Sequence, residues 1–177
     1  MSLSENLLKI AFYDFTPFET ENKTGTLKKL LALDKIESDS DNKLLVSGEG
    51  YFNENGYNVL PYSFKTMLPY SNVICGEFGG TLVTDSGGYT YYENSRENKL
   101  TSWSNDAVLD TPSEWLYFSN EDFAIRLNGD VNAKVMHSAG KTVIVSEIQN
   151  FKAETSQYII NDGKIKVYKV DLYANED

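Results

Sequence analysis

From residue 58 onward, turn-forming residues break the chain at intervals that leave little room for helices. Gly79-Gly80, Ser86-Gly87-Gly88, Asn128-Gly129-Asp130, Ala139-Gly140 and Asn161-Asp162-Gly163 separate short runs rich in β-branched and aromatic residues. Such runs fit a pleated, half-buried surface, and turn signals at this spacing point to antiparallel hairpins. Strands are expected at Asn72–Cys75, Thr81–Thr84, Tyr89–Tyr92, Trp115–Phe118, Ala124–Leu127, Val131–His137, Lys141–Ile148, Ala153–Ile160 and Lys164–Tyr173. The pattern reads as an antiparallel all-β domain, a sandwich sooner than a barrel. In the last run, Ile165 and Val167 alternate in one phase and Val170 and Leu172 in the other. Either both faces of that strand are buried or a bulge near Tyr168–Lys169 shifts its register.

The first forty-odd residues differ. "TLKKLLALDKIES" (26–38) spaces Leu27, Leu30, Leu31 and Ile36 as an amphipathic helix would, with Thr24 or Thr26 as N-cap. "SDSDNK" (38–43) reads as a solvated loop, and Asn55-Gly56 marks a tight turn between two short strands. The expected division is residues 1–47 as an N-terminal helix and linker, then 48–177 as the β domain. A chain of 177 residues suffices for one sizeable core.

A net charge of −10, with no run among the 16 basic residues, argues against nucleic acid as a partner. No stretch approaches the roughly 20 apolar residues of a membrane span. The single cysteine, Cys75, excludes an internal disulfide and leaves the cytoplasm as the default location. One cysteine and one histidine also make a zinc site improbable on ligand count. His137 lacks the Gly-x-Ser-x-Gly elbow of a serine hydrolase and reads as a structural or supporting residue. Among the acids, Asp85, Glu93, Glu97, Asp106 and Asp110 cluster in sequence, but solvated turn acids explain them as well as a catalytic pair would. The glycines of "GEFGGTLVTDSGG" (76–88) lack the Lys-Ser/Thr of a phosphate loop and suit β-turns and close strand approach.

"YYENSRENKLTSWSNDAVLDTPSEWLYF" (91–118) concentrates Tyr91, Tyr92, Trp103 and Trp115 among Asn94, Arg96, Asn98, Asn105 and Asp106. Flat apolar faces beside directional hydrogen-bonding groups suit sugar rings. On residue types alone, the reading in which these side chains pin a long loop weighs more.

The order of residues shifts that balance. Pro69-Tyr70-Ser71-Asn72-Val73, Phe78-Gly79, Ser86-Gly87-Gly88-Tyr89-Thr90, Asn94-Ser95-Arg96-Glu97-Asn98-Lys99-Leu100-Thr101 and Trp103-Ser104-Asn105-Asp106 follow one another as they do in a known family. The 68–118 stretch resembles the start of the β-sandwich of cellobiose phosphorylases and of the phosphorylase-like region of cyclic β-1,2-glucan synthases (glycoside hydrolase family 94, glycosyltransferase 36-like), the synthase branch being nearer. "YFNENGYNVL" (51–60) resembles the hairpin that precedes this block, and the strands after His137 resemble the family more loosely. Residues 1–47 match nothing nameable.

The resemblance implies an incomplete antiparallel β-sandwich of supersandwich, galactose-mutarotase-like type, carrying a short N-terminal helix. It implies a parent protein that is an inverting phosphorylase or glucan synthase. In such a protein inorganic phosphate, as a substrate, attacks the anomeric carbon while an Asp in a following (α/α)6 helical barrel protonates the leaving sugar. No cofactor is implied, and the sandwich alone is not catalytic. Arg96, Asn94, Asn98, Trp103 and Tyr92 become the candidate sugar-binding residues, with Gly87 and Gly88 holding the strand before them. Partners implied are a β-glucan or oligosaccharide, the C-terminal helical barrel and a second copy of the chain, since an unpaired sheet edge invites assembly. Departures exist: the family's usual prolines after Thr101 and Asp106 are replaced, and the Trp-Ser-Pro segment common after Phe118 is missing. Other readings are a free-standing carbohydrate-binding module, a scaffold that touches no ligand, and a small mutarotase, whose chemistry generally needs a His with a carboxylate and for which a chain with only His137 is poorly equipped.

Overall fold

The computed structural model describes residues 29–30, 43–47, 50–59, 69–93, 97–102, 106, 111–119, 123–128, 133–148 and 151–174. These form thirteen strands. They are β1 (Lys29–Leu30), β2 (Leu45–Ser47), β3 (Gly50–Asn53), β4 (Gly56–Val59), β5 (Ser71–Cys75), β6 (Gly79–Thr84), β7 (Gly87–Tyr92), β8 (Tyr117–Ser119), β9 (Phe123–Arg126), β10 (Lys134–Ser138), β11 (Lys141–Ile148), β12 (Phe151–Ile160) and β13 (Ile165–Ala174). A seven-stranded sheet runs β13-β12-β11-β10-β4-β3-β2, and two three-stranded sheets, β5-β6-β7 and β1-β9-β8, pack against it. All pairings are antiparallel except β1 with β9.

The expected all-β sandwich is thus present, and each of the nine runs named from residue 72 onward contributes a strand. Of the helix expected over 26–38, only Lys29 and Leu30 lie among the described residues, and they are extended, pairing with Phe123 and Ala124. A helix of about a dozen residues is marginal unless packing supports it, and the edge of β9 offers these two residues backbone partners instead. The seven-stranded sheet takes in Leu45–Ser47, just before the 47/48 division drawn from sequence.

Local chemistry fixes the hairpins. The β3–β4 turn is capped by Asn53, whose Oδ1 accepts the N–H groups of Asn55 and Gly56 at 2.9 and 3.1 Å. The β12–β13 turn needs positive φ at Asn161, Asp162 and Gly163, residue types that tolerate it. Gly79 and Gly80, expected in a turn, instead lie inside β6. The chain turns at Gly76–Phe78, where Gly76 N–H donates to the Gly79 carbonyl at 2.9 Å. Side chains at 79 and 80 would collide with Tyr91, and at 79 also with the backbone of Gly163. Pairing of β12 with β13 is continuous from Phe151↔Ala174 to Ile160↔Ile165, so no bulge shifts the register. Lys166, Tyr168, Val170 and Leu172 therefore share one face.

Register divides that inner face into rows. One row, Val59, Val135, Ile144, Thr155 and Val170, is mostly apolar. With Ala153 it packs on Leu116, Ile125 and Leu127 to make the core, and Phe118 meets Phe151 edge-on at 5.2 Å between ring centres. Two residues along each strand, roughly 7 Å away, the next row is Tyr57, His137, Thr142, Gln157 and Tyr168. This polar end meets β5-β6-β7. Asn72 Nδ2 fastens the two layers, reaching the Ser138 carbonyl at 2.9 Å, Thr142 Oγ1 at 3.1 Å and the Lys141 carbonyl at 3.2 Å.

Candidate functional site

Beyond the polar row, β7, β13 and the 97–102 segment enclose a groove of about 530 Å³, within the range of roughly 300–1,000 Å³ common to small-molecule sites. One wall is aromatic, from Phe78, Tyr91 and Tyr92, and Leu100, Ile159, Gly163 and Lys164 also line the groove. Phe78 and Tyr92 are each 42% exposed, and the Lys164 ammonium sits 4.2 Å from the centre of the Phe78 ring. The β12–β13 turn is clasped to this wall: Phe78 N–H donates to the Asp162 carbonyl at 2.7 Å, and Gly76, Gly79 and Gly163 approach too closely for any Cβ.

The second part of the groove is built on the edge of β7. Tyr92 N–H donates to the Asn98 carbonyl at 2.9 Å, and the N–H groups of Leu100 and Thr101 donate to the Thr90 carbonyl at 2.9 and 3.2 Å. Thr101 Oγ1 accepts the Thr90 N–H at 2.8 Å. Farther down the strand, Gly88 bridges Glu114. The 97–102 segment therefore lies along β7 as an irregular extra strand.

The floor is a buried charge network. Glu114 is 7% exposed. Its Oε1 accepts the hydroxyls of Thr90 and of Thr101, the latter at 2.8 Å. Its Oε2 accepts Lys166 Nζ and the Tyr168 hydroxyl. Lys166 Nζ also donates to Thr81 Oγ1 at 2.8 Å and Thr90 Oγ1 at 3.3 Å, and Thr81 passes its own proton to the Tyr89 carbonyl at 2.7 Å. The ammonium has three protons and three acceptors, and the carboxylate has four donors. Burial pushes the Glu114 carboxyl upward, but the Lys166 charge and the hydrogen bonds from Lys166, Thr90 and Tyr168 outweigh it and leave the group below its ordinary value. Burial draws Lys166 below the usual lysine value while Glu114 opposes the shift. Burial, then the Glu114 charge, raises the Tyr168 phenol, so it stays a donor. The backbone of Glu114 is held as well. Buried Asn128 donates from Nδ2 to the Glu114 carbonyl at 3.1 Å and accepts the Leu116 N–H at 2.7 Å.

Of the candidate residues read from sequence, Tyr92 lines the groove and Asn98 lies beside it, its Nδ2 donating to Glu93 Oε2 at 3.1 Å. Asn94, Arg96 and Trp103 lie outside the described residues. Gly87, at φ +148°, starts β7 against Pro112, which a Cβ would strike at 2.4 Å. Sequence reasoning missed Glu114, Lys166, Tyr168 and Phe78. The sequence offered one signal, a glutamate directly before the apolar run Trp115–Phe118. Lys166 and Tyr168 gave none, because the inward phase of the last strand is fixed only by its pairing with β12.

His137 faces the interior at 8% exposure, Nδ1 3.1 Å from Thr142 Oγ1. Burial lowers its pKa to about 4 against a weaker opposing pull from the Tyr70 backbone. A neutral, enclosed imidazole beside a hydroxyl is poorly set for acid–base work on a ligand in the groove. Among the described residues no three His, Cys, Asp or Glu side chains converge as metal ligands, and no helix is long and apolar enough to cross a membrane.

Comparison with known proteins bears on this arrangement directly. The family model for the supersandwich domain of glycosyl hydrolase 94 matches residues 57–177, which include all of β4 but Gly56, β5 to β13 and the whole groove. The chain belongs to this family. It is also 35% identical over 86 residues to the cyclic β-(1,2)-glucan synthase NdvB of Rhizobium meliloti strain 1021, a match covering 46% of this chain and 3% of that protein. The glycosyl hydrolase 94 supersandwich is thus the frame in which Tyr92, Phe78 and the Glu114 network are set.

Proposed function

We propose that this supersandwich is the carbohydrate-associated part of a glycoside phosphorylase or a cyclic β-glucan synthase-like enzyme. Its groove takes a neutral gluco-oligosaccharide, and bond-breaking chemistry is supplied elsewhere in the parent protein. The observation that carries the reading is the pair of half-exposed rings, Phe78 and Tyr92, lining a groove together with Leu100 and Thr101 of the 97–102 segment. Sugar C–H faces stack on such rings, while hydroxyls find the exposed backbone and polar side chains of the segment. Net charge −10 disfavours anionic ligands and leaves neutral sugars. By the same reading the helical barrel of the parent chain and a second copy of this chain are its protein partners, and Asn94, Arg96, Asn98 and Trp103 extend the sugar contacts.

A scaffold that binds no sugar is the second reading, favoured by the saturation of Glu114, which has no lone pair to offer a ligand. Calorimetric titration with β-1,2- and β-1,4-linked gluco-oligosaccharides separates the two. Each of Tyr92→Ala and Phe78→Ala should weaken binding about threefold to tenfold, the worth of one aromatic contact. No heat of binding to either sugar, or affinity indifferent to both substitutions, supports the scaffold.

A further inference from the structure

The four groups that donate to Glu114 share one property: each belongs to an element that forms the groove. Thr90 is on β7, Thr101 is in the segment along its edge, and Lys166 and Tyr168 are on β13. The donor directions are also fixed. A carboxylate only accepts, so both threonine hydroxyls must point their protons at Glu114. With that proton committed, the Thr101 oxygen turns a lone pair toward the Thr90 N–H, which it receives at 2.8 Å. One hydroxyl thereby ties the backbone of β7 to the carboxylate. Beside it, the amide bonds at Tyr92, Leu100 and Thr101 pair the 97–102 segment with the edge of β7, and exposed edge pairings of this kind open readily.

We propose that Glu114 is the positioning residue of the groove: anchored by Lys166 and Tyr168 of β13, its carboxylate orients the Thr90 and Thr101 hydroxyls, holds the 97–102 segment against β7 and sets the wall that a sugar meets. The sugar clause rests on the function proposed above; the positioning clause does not. Glu114 touches no ligand in this account and acts through Thr101.

The test pairs Thr101→Val with Thr101→Ser, and adds Glu114→Gln, in hydrogen-exchange measurements on the full chain. Removing the hydroxyl should speed exchange of the Thr90 and Leu100 amides roughly fivefold or more, the effect of losing about one hydrogen bond's net contribution. The Ile144 amide should stay within about twofold, because it lies in the separate apolar core, and distant sites seldom couple. Thr101→Ser should behave as the wild type, and Glu114→Gln as Thr101→Val. Unchanged exchange at Thr90 and Leu100 in Thr101→Val, equal acceleration at Ile144, or failure of serine to rescue would each overturn the proposal. Should Glu114→Gln not fold, the valine and serine pair decides. In titrations with β-1,2-gluco-oligosaccharide, the valine variant should bind more weakly and the serine variant as the wild type. A wild type that binds no sugar strikes the functional reading alone, and exchange still judges the positioning.

Discussion

The two ends of the inner face of the seven-stranded sheet are built from the same strands yet solve burial in opposite ways. At one end Val59, Val135, Ile144 and Ala153 meet Leu116, Ile125 and Leu127, and contact between apolar side chains is all the geometry requires. At the other, two residues along each strand, His137, Thr142, Gln157 and Tyr168 face a second small sheet, and there Lys166 and Glu114 sit buried with their hydrogen-bonding capacity filled. The apolar end gains stability from every Å² it buries, because water releases apolar surface at little directional cost. The polar end gains less, since withdrawing two charges from water consumes most of what their attraction returns. It gains direction instead: fixed donors and acceptors specify where β7, β13 and the 97–102 segment stand. The groove lies at the directed end.

If this contrast is right, the largest effect comes from breaking the ion pair on one side. Lys166→Met leaves the Glu114 carboxylate buried without a counter-charge and should cost about 3–5 kcal/mol of unfolding free energy, comparable with about 2–5 kcal/mol for Ile144→Ala in the apolar end. Denaturant unfolding separates the two ends once Glu114→Leu is added. The double variant should recover most of the lost stability, whereas no second deletion rescues Ile144→Ala. A double variant as unstable as Lys166→Met would show that the polar end contributes as much net stability as the apolar one.

Acid should next unfasten the polar end. His137 titrates at about 4 in the folded chain against 6.5 unfolded, so the unfolded state takes up the proton first and stability falls as pH drops from 6.5 to 4. The full effect is about 3 kcal/mol, at roughly 1.4 kcal/mol per pH unit. Glu114, whose folded value is depressed, adds to the loss at still lower pH, as the solution passes down through its folded pKa. His137→Asn should flatten the profile between pH 6.5 and 4 and leave the lower limb. A wild-type stability that stays level across that window would mean the imidazole is not held neutral.

The smallest effect belongs to Gln157. Its amide is fully buried, and neither polar atom has a hydrogen-bond partner among the described residues. Gln157→Met keeps the volume and removes an unmet polar group, so stability should change by less than about 1 kcal/mol or rise. A loss well above that, in thermal or denaturant unfolding, would place Gln157 in a network as directed as that of Glu114.

How much of this could be read in the sequence differs between the same two ends. The strands of the apolar end were legible, because β-branched and aromatic runs between turn residues mark Lys141–Ile148 and Ala153–Ile160. Their buried phase was not, since Val143 and Val145 alternate with Thr142, Ile144 and Ser146, and the latter are the three that reach 0% exposure. The last strand was half legible. Its two apolar phases left a bulge and double burial open, and unbroken pairing with β12 removes the bulge, so Lys166 and Tyr168 take the inward side with Val170 and Leu172. The polar end was not legible, because Glu114 and Lys166 are 52 residues apart and only the three-dimensional register brings them together. Resemblance found the 91–106 segment through the order of its residues, yet it could not show that Glu114 accepts the Thr90 and Thr101 hydroxyls. The glycines at 79 and 80 misled for a related reason: they look like a turn, but close approach to Tyr91 and Gly163, far along the chain, is what requires them.

The most direct measurement is an NMR titration of the isotopically labelled chain with β-1,2-gluco-oligosaccharide, read residue by residue. A sugar-binding groove between β7 and β13 predicts saturable shifts at Phe78, Tyr92, Leu100, Thr101 and Lys164, with Val135 and Ile144 unmoved. Shifts absent at saturating sugar, or confined to the β2–β4 end of the sheet, would contradict it.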